Sequence, residues 1–235
     1  MSSLDVVIPV YNEERVLAGS VAILEAFLAE NMSSYGWTIT IADNASTDKT
    51  LDVAKELAKT RPRLRYIHLD RKGRGRALRA AWSISNADLL AYMDVDLSSG
   101  LESFPDLINA ITTGYDIAIG SRLHPESDTV RSIRREVLSR GYNIILRTAF
   151  GAPISDAQCG FKAVTRSCAR ALIPLVQNQE WFFDTELLML AAKKGYRIKE
   201  VPVRWIEDPD SRVNIRKTVV EDLRGVLRLL VMPTP

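Results

Sequence analysis

Through its first 120 residues the chain alternates short apolar runs with stretches of helical periodicity, and this alternation restricts the fold more than any other feature. Residues 4–10, 37–42, 64–69, 89–93 and 115–119 have the length and content of strands, and in the second run Trp37, Ile39 and Ile41 alternate. Between them Leu17, Val21, Leu24 and Leu28 recur at helical spacing, and 46–59, 75–85 and 101–113 read as helices, the first capped by a polar residue near 44–46. Strands separated by single helices imply right-handed crossovers, hence an α/β fold with a mostly parallel central sheet flanked by helices.

The sheet gives one motif its meaning. Asp94-Val95-Asp96 directly follows the apolar run 87–93, so both carboxylates emerge at the carboxyl end of a strand, where open α/β sheets bind their ligands. Two carboxylates there suit a divalent cation, Mg²⁺ or Mn²⁺, with substrate phosphates completing its shell. A lone D-x-D is more often a helix cap beside a solvated carboxylate; the surrounding residues decide against that here.

After a loop at 121–130, residues 131–150 read as a helix with at least four basic residues, 180–194 as another helix and 198–203 as a short strand. The stretch 215–230 is basic and amphipathic, with Ile215, Val219, Leu223, Val226, Leu227 and Leu230 on one face against Arg216, Lys217, Arg224 and Arg228. A helix docked on the core and a helix lying on an anionic membrane surface both fit this pattern. The domain expectation is a unit over 1–214, followed by this helix and a tail over 215–235.

Several function classes are excluded. Gly73-Arg74-Gly75 lacks the third glycine of a dinucleotide fingerprint and the chain has no Walker lysine motif, which disfavours nicotinamide and ATP enzymes. The net charge is only +2, with basic residues gathered around 71–79 and 131–140, a pattern of local anion sites and not of a nucleic-acid footprint. The arginines around Gly73 and Gly75 are suited to a pyrophosphate. Two cysteines, no signal peptide and no apolar run near the roughly 18 residues of a spanning helix lead to the expectation of a cytoplasmic chain. His68 and His124 read as isolated surface or core-edge residues, and Cys159 as a packing residue.

In order along the chain, Ile8-Pro9-Val10-Tyr11-Asn12-Glu13-Glu14, Asp43-Asn44-Ala45-Ser46-Thr47-Asp48-Lys49-Thr50, Lys72-Gly73-Arg74-Gly75-Arg76-Ala77-Leu78 and Asp94-Val95-Asp96 resemble the signature of family 2 glycosyltransferases of the GT-A (nucleotide-diphospho-sugar transferase) fold. Ala118-Ile119-Gly120-Ser121-Arg122, the segment Asp156-Ala157-Gln158-Cys159-Gly160-Phe161-Lys162 and the segment from Trp181 through Asp184 to Leu188 are similar to the branch of dolichyl-phosphate β-glucosyltransferases and bacterial polyprenyl-phosphate glycosyltransferases.

The resemblance implies inverting, metal-dependent transfer of a hexose from a UDP-sugar to a polyprenyl phosphate. In that reading Asp43 accepts the uracil N3 hydrogen, Pro9 and Tyr11 wall the base, Glu13 meets the ribose and Arg76 the diphosphate. Asp94 and Asp96 hold the metal, while Arg122, Arg131, Arg135 and Gln158 bind the acceptor phosphate. Asp184, in an aromatic setting, contacts the sugar or handles a proton. Two departures stand out: Asn44 replaces a usual second aspartate, and Ser98 stands where the related mannosyltransferase branch often has glutamine, which leaves a third metal ligand unassigned. The 204–214 segment, with Trp205 and Asp208, resembles a loop that closes over donor phosphates. The expected partners are the UDP-sugar, the lipid phosphate and the inner face of a membrane, with an integral membrane protein or a second copy also open. A transferase for a soluble or polysaccharide acceptor, with Asp184 as general base, is one alternative; a non-catalytic nucleotide-sugar-binding module is another.

Overall fold

A computed structural model of the chain describes residues 1–130, 132–152, 154–206 and 215–231, the side chains of 133–135 and 215–217 excepted. The first half follows the alternation closely. Strand β1 (Ser3–Val10) leads to helix α1 (Leu17–Asn31), β2 (Gly36–Asn44), α2 (Thr50–Thr60), β3 (Leu64–Leu69), α3 (Arg74–Ile84) and β4 (Leu89–Met93). Helix α1 buries the four residues that set its period, Leu17, Val21, Leu24 and Leu28. Helix α2 begins later than the sequence suggests, because 46–49 is used otherwise: Ser46 Oγ accepts from Asn12 N at 3.0 Å, Asn12 Oδ1 from Thr47 N at 2.8 Å, and Glu14 Oε2 from Lys49 N at 3.0 Å. Those bonds lace the loop after β1 to the loop after β2.

A 3₁₀ turn (Leu101–Ser103) opens into α4 (Phe104–Thr112) and β5 (Ile117–Ser121). There follow a short β6 (Asp128–Val130), α5 (Ile133–Phe150), β7 (Phe161–Thr165), α6 (Arg166–Leu172), α7 (Phe183–Lys193), β8 (Ile198–Pro202), β9 (Arg204–Ile206) and α8 (Ile215–Val231). The main sheet runs β3-β2-β1-β4-β7-β5-β8, with β7 antiparallel to both neighbours and the other pairs parallel; β6 and β9 form a separate parallel pair. Strand β7 is the element that periodicity misses. Phe161, Lys162, Ala163 and Val164 are all buried, so the run shows no alternation, and a lysine in it argues against a central strand until its partners are known.

Helices cover both faces. One core lies between the sheet and α1, α2 and α4, with Leu24, Ile39 and Phe104 in it; the other lies under α3, α6 and α7, with Trp82, Leu172 and Leu187. Helix α8 docks on this second side through Asp222, Val226 and Leu229, all buried, and through Gly225, where an added Cβ would lie 2.4 Å from the Phe182 ring. Of the apolar face read from the sequence, Val226 is buried but Val219, Leu223, Leu227 and Leu230 are exposed, while Arg228 pairs with Glu186 at 2.8 Å. The docking stripe is set by what the second core lacks, an acid for Gln158 and a cation for Glu186, and the periodicity of leucines does not report that. No helix among the described residues is long and apolar enough to cross a membrane.

Candidate active site

The carboxyl ends of β1, β2 and β4 lie side by side, and three non-glycine residues just beyond them have left-handed backbones: Asn12 (φ 57°), Ala45 (φ 60°) and Leu97 (φ 54°). Such conformations cost on the order of 1 kcal/mol each and gather at ligand sites. Here they turn the chain sharply, so that Tyr11, Asp43 and Asp94 stay at the sheet edge.

Asp43 ends β2 fully buried. Its Oδ2 lies 2.6 Å from Nδ1 of His68, its register partner on β3, and its Oδ1 is buried without a hydrogen-bond partner among the described residues. His68 is therefore not isolated. Asn44 accepts from the Gly73 backbone N at 2.7 Å, which pins the start of α3 to the sheet. Pro9 sits one residue from the end of β1, and the Lys72 ammonium lies 3.3 Å from the centroid of the Tyr11 ring. The Glu13 backbone N donates to Thr50 Oγ1 at 2.7 Å. Arg76 directs Nη1 at the carbonyls of Arg71, 3.1 Å away, and Lys72, so its guanidinium closes its own loop.

Asp94 follows β4 and is held by the buried guanidinium of Arg74, which reaches Asp94 with Nη2 and Asp184 with Nη1, the latter at 2.9 Å. Burial works against the charge of Arg74, but Asp94, Tyr92 and Asp184 more than offset it and its pKa is raised. Burial also raises the pKa of Asp94, an effect Arg74 opposes and Asp96 and Asp184 reinforce. Gly160 lets the acid fit: an added Cβ would stand 1.9 Å from Asp94 Oδ2. Asp96 is exposed, its Oδ1 accepting from Ser98 N at 3.0 Å. Gly75 serves packing and not a phosphate, because an added Cβ would meet Phe183 at 2.5 Å.

Asp184 is 3% exposed, accepts from Arg74 and from the Tyr92 hydroxyl, and lies 3.0 Å from the wholly buried Lys162 Nζ. With two cations and a phenol on its oxygens, Asp184 anchors Arg74 and Lys162, and this ion-paired setting is where the structure places the residue expected as sugar contact or general base. Lys162 donates to the Cys159 carbonyl at 2.6 Å and to the Tyr92 oxygen at 3.1 Å.

Arg122 follows β5 and grips Asp156 with Nε at 2.7 Å and Nη2 at 2.9 Å, and its guanidinium lies 5.4 Å from the centroid of Trp205. Burial opposes the charge of Arg122, while Asp156, with a contribution from Asp94, raises its pKa; burial likewise opposes the charge of Asp156, yet Arg122 holds its pKa below the usual carboxylate range. Beneath them Glu200 on β8 accepts from the backbone N of Ser155 at 2.7 Å and of Asp156 at 3.1 Å. Gln158 donates to Asp222 of α8 at 2.8 Å. Burial pushes the Asp222 carboxyl up to about 7, against the Gln158 hydrogen bond. Arg131, the side chain of Arg135 and the loop at 207–214 lie outside the described residues, and Arg140 pairs with Glu136 on its own helix.

The structure thus brings Pro9, Tyr11, Asp43, Asp94 and Asp96 to one sheet edge, with Arg122 and Asp156 beyond β4. Arg74, His68, Asp156 and Glu200 were not singled out as tethers from the sequence; the polar register partner opposite Asp43 is the one signal that would have found His68.

The fold is the GT-A type of nucleotide-sugar transferases: glucosyl-3-phosphoglycerate synthase from Mycobacterium tuberculosis, solved with UDP, superposes with a TM-score of 0.75 over 99% of this chain and 81% of its own at 19% identity. A structure of the same enzyme with Mn²⁺, UDP-glucose and phosphoglyceric acid also gives a TM-score of 0.75, at 18% identity over the same shares. The description of the family "Glycosyl transferase family 2" matches residues 5–173, and the chain belongs to that family. Among its relatives are glycosyltransferase AglD of Haloferax volcanii, 35% identical over 95% of this chain and 35% of its own length, and dolichyl-phosphate beta-glucosyltransferase of Saccharomyces cerevisiae, 31% identical over 89% and 69%. A third, dolichyl-phosphate beta-glucosyltransferase ALG5C of Trichomonas vaginalis, is 34% identical over 89% of this chain, which spans 65% of that relative.

Proposed function

We propose that this chain transfers a hexose, with glucose the first to test, from a UDP-sugar to a polyprenyl phosphate with inversion. The observation that carries the acceptor class is that Asp156 and Asp184 are both neutralised by the protein's own cations. Neither is free to serve as a base. A sugar or polysaccharide hydroxyl needs one to lose its proton, whereas a lipid phosphate arrives ionised. The phosphate oxygen attacks the anomeric carbon, the carbon–oxygen bond to the diphosphate breaks, and the electron pair leaves with UDP. Relatives named dolichyl-phosphate beta-glucosyltransferase support the same acceptor.

Asp43 and Asp94 end strands separated by β1, about 10 Å across the sheet, a span that suits a base at one end and a diphosphate at the other. The residues fit a divalent metal: the donor set is oxygen only, Asp96 is exposed, and no cluster of three or more metal-ligating side chains exists among the described residues, so phosphate oxygens and water would fill the remaining positions. Asp94 and Asp96 would hold Mg²⁺ or Mn²⁺, which when bound offsets the charge of the departing diphosphate. Arg122, tied to Asp156 through Nε and Nη2, keeps its other N–H groups for the acceptor phosphate.

The lipid tail requires the domain to sit at headgroup level, and we assign that contact to α5 and α8, which pack together and expose Val137, Leu138, Ile144 and Ile145 beside Leu223 and Leu227. Residues 1–214 are then the transferase unit and 215–235 its docked helix and tail, on the cytoplasmic face of the membrane. The test is a panel of UDP- and GDP-sugars with short polyprenyl phosphates and Mg²⁺ or Mn²⁺. A lipid-linked β-glucoside from UDP-glucose is expected; label transferred only to water-soluble acceptors overturns the reading.

A further inference from the structure

Asp43 is the buried carboxylate nearest the end of β2, and its two oxygens are unlike. Oδ2 is engaged by His68 Nδ1 at 2.6 Å, while Oδ1 is buried and has no hydrogen-bond partner among the described residues. A carboxylate at neutral pH has no hydrogen to give, so Nδ1 carries the proton of this pair. The ring is fixed by register, since Asp43 and His68 are Cα partners on β2 and β3, and its other nitrogen lies 3.7 Å from Asp70, beyond hydrogen-bond reach. His68 thus engages one oxygen of Asp43 and leaves the other without a partner among the described residues.

Base edges differ in how many donors they bring. Uracil offers a single N–H, at N3, between two carbonyl oxygens. Guanine offers two parallel donors, N1–H and the 2-amino group, which match both oxygens of an unencumbered carboxylate. Cytosine and adenine offer a ring acceptor at the corresponding place, which repels a carboxylate whether or not a histidine is present. The discrimination that Asp43 alone does not provide is uracil against guanine.

We propose that His68 is the residue that makes this site choose uracil over guanine, by engaging Asp43 Oδ2 so that a second donor from the base must share that oxygen with the imidazole N–H. The proposal rests on the reading of Asp43 as the base-contacting residue and deepens it. His68 acts through Asp43 and is a positioning residue. A guanine seated there would bring its second donor to an oxygen that already accepts from the imidazole N–H, a competition of the kind that separates ligands by about tenfold.

The experiment is calorimetric titration of the full chain with UDP and, separately, GDP, in wild type, His68→Ala, His68→Phe and His68→Asn, each checked for folding by circular dichroism. The wild type is expected to prefer UDP. Both variants lacking a donor at this place should lower the UDP-to-GDP affinity ratio by about tenfold. Asparagine, whose Nδ2 falls near the position of Nδ1, should restore it. Two donor-free side chains of different size keep the test alive should one fail to fold. A ratio unchanged in a folded Ala or Phe variant, or equal weakening of both nucleotides, overturns the role of His68 while leaving UDP binding by Asp43 standing. A wild type that binds no UDP contradicts the reading of Asp43 itself, and the role of His68 with it.

Discussion

The side of the molecule proposed for the donor, from β1 to Asp96 and called the donor side below, and the side proposed for the acceptor, from β5 onward, handle charge differently. On the donor side two acids keep an open oxygen: Asp43 has one buried oxygen without a partner among the described residues, and Asp96 faces solvent. On the acceptor side the two acids beside the arginines are closed by the protein, Asp156 by Arg122 and Asp184 by Arg74 and Lys162. The difference teaches how one sheet serves two substrates. A nucleotide diphosphate brings N–H groups to be accepted and charge to be met through a cation, which calls for bare carboxylates. A phosphate acceptor brings its own nucleophile, which calls for guanidinium groups held still by acids.

The largest effect should come from the bridge between the two sides. Replacing Arg74 by methionine removes the guanidinium that joins the half-buried Asp94 to the buried Asp184, and breaking a buried pair such as Arg74–Asp184 costs about 3–5 kcal/mol. Denaturant unfolding should show a midpoint shift of that size. A stability equal to wild type would mean that the acids do not depend on Arg74. Next is Asp96→Ala. Because Asp96 is exposed, stability should change by less than about 0.5 kcal/mol, while turnover of UDP-glucose falls by about two orders of magnitude. If this variant instead unfolds as readily as Arg74→Met, the contrast between an open and a closed carboxylate is wrong.

A smaller effect is expected where α8 meets the acceptor loop. The Asp222 carboxyl is pushed up to about 7 by burial, so the folded state holds its proton more tightly than the unfolded chain does. Its contribution is fully present below the ordinary carboxylate range and is lost as pH rises through about 7. Protection factors of the α8 amides, which remove the intrinsic pH dependence of exchange, should therefore fall between pH 6 and 8, a window set by that value, and Asp222→Asn should remove the fall. Protection factors in α8 that are independent of pH in the wild type would exclude Asp222 as a pH-dependent contributor.

The same contrast explains what the sequence made legible. The donor side is written locally: acids stand at the ends of two strands, and Asp94 and Asp96 are found by reading forward from an apolar run. Asp43, Tyr11 and Pro9 are picked out by the family resemblance, on short motifs that also lie at strand ends. The acceptor side is assembled from pairs far apart in sequence, Arg122 with Asp156, Ser155 with Glu200 and Gln158 with Asp222. No period reports such pairs. Strand β7 is hidden for a related reason, since Lys162 makes it look polar until Asp184 and the Cys159 carbonyl are seen around its ammonium. Helix α8 was legible as a helix, and the face it buries was not, because docking is fixed by Asp222 and Arg228 and not by the leucines.

The division of labour is tested most directly at Arg122. Lysine there keeps a cation against Asp156 but loses the planar fork that has N–H groups to spare. Steady-state kinetics of Arg122→Lys, with UDP-glucose and a short polyprenyl phosphate each varied, should show the KM for the lipid phosphate raised about tenfold or more, while calorimetry returns the wild-type Kd for UDP. Weakened UDP binding with an unaltered KM for the lipid phosphate would contradict the assignment of an acceptor side built on Arg122.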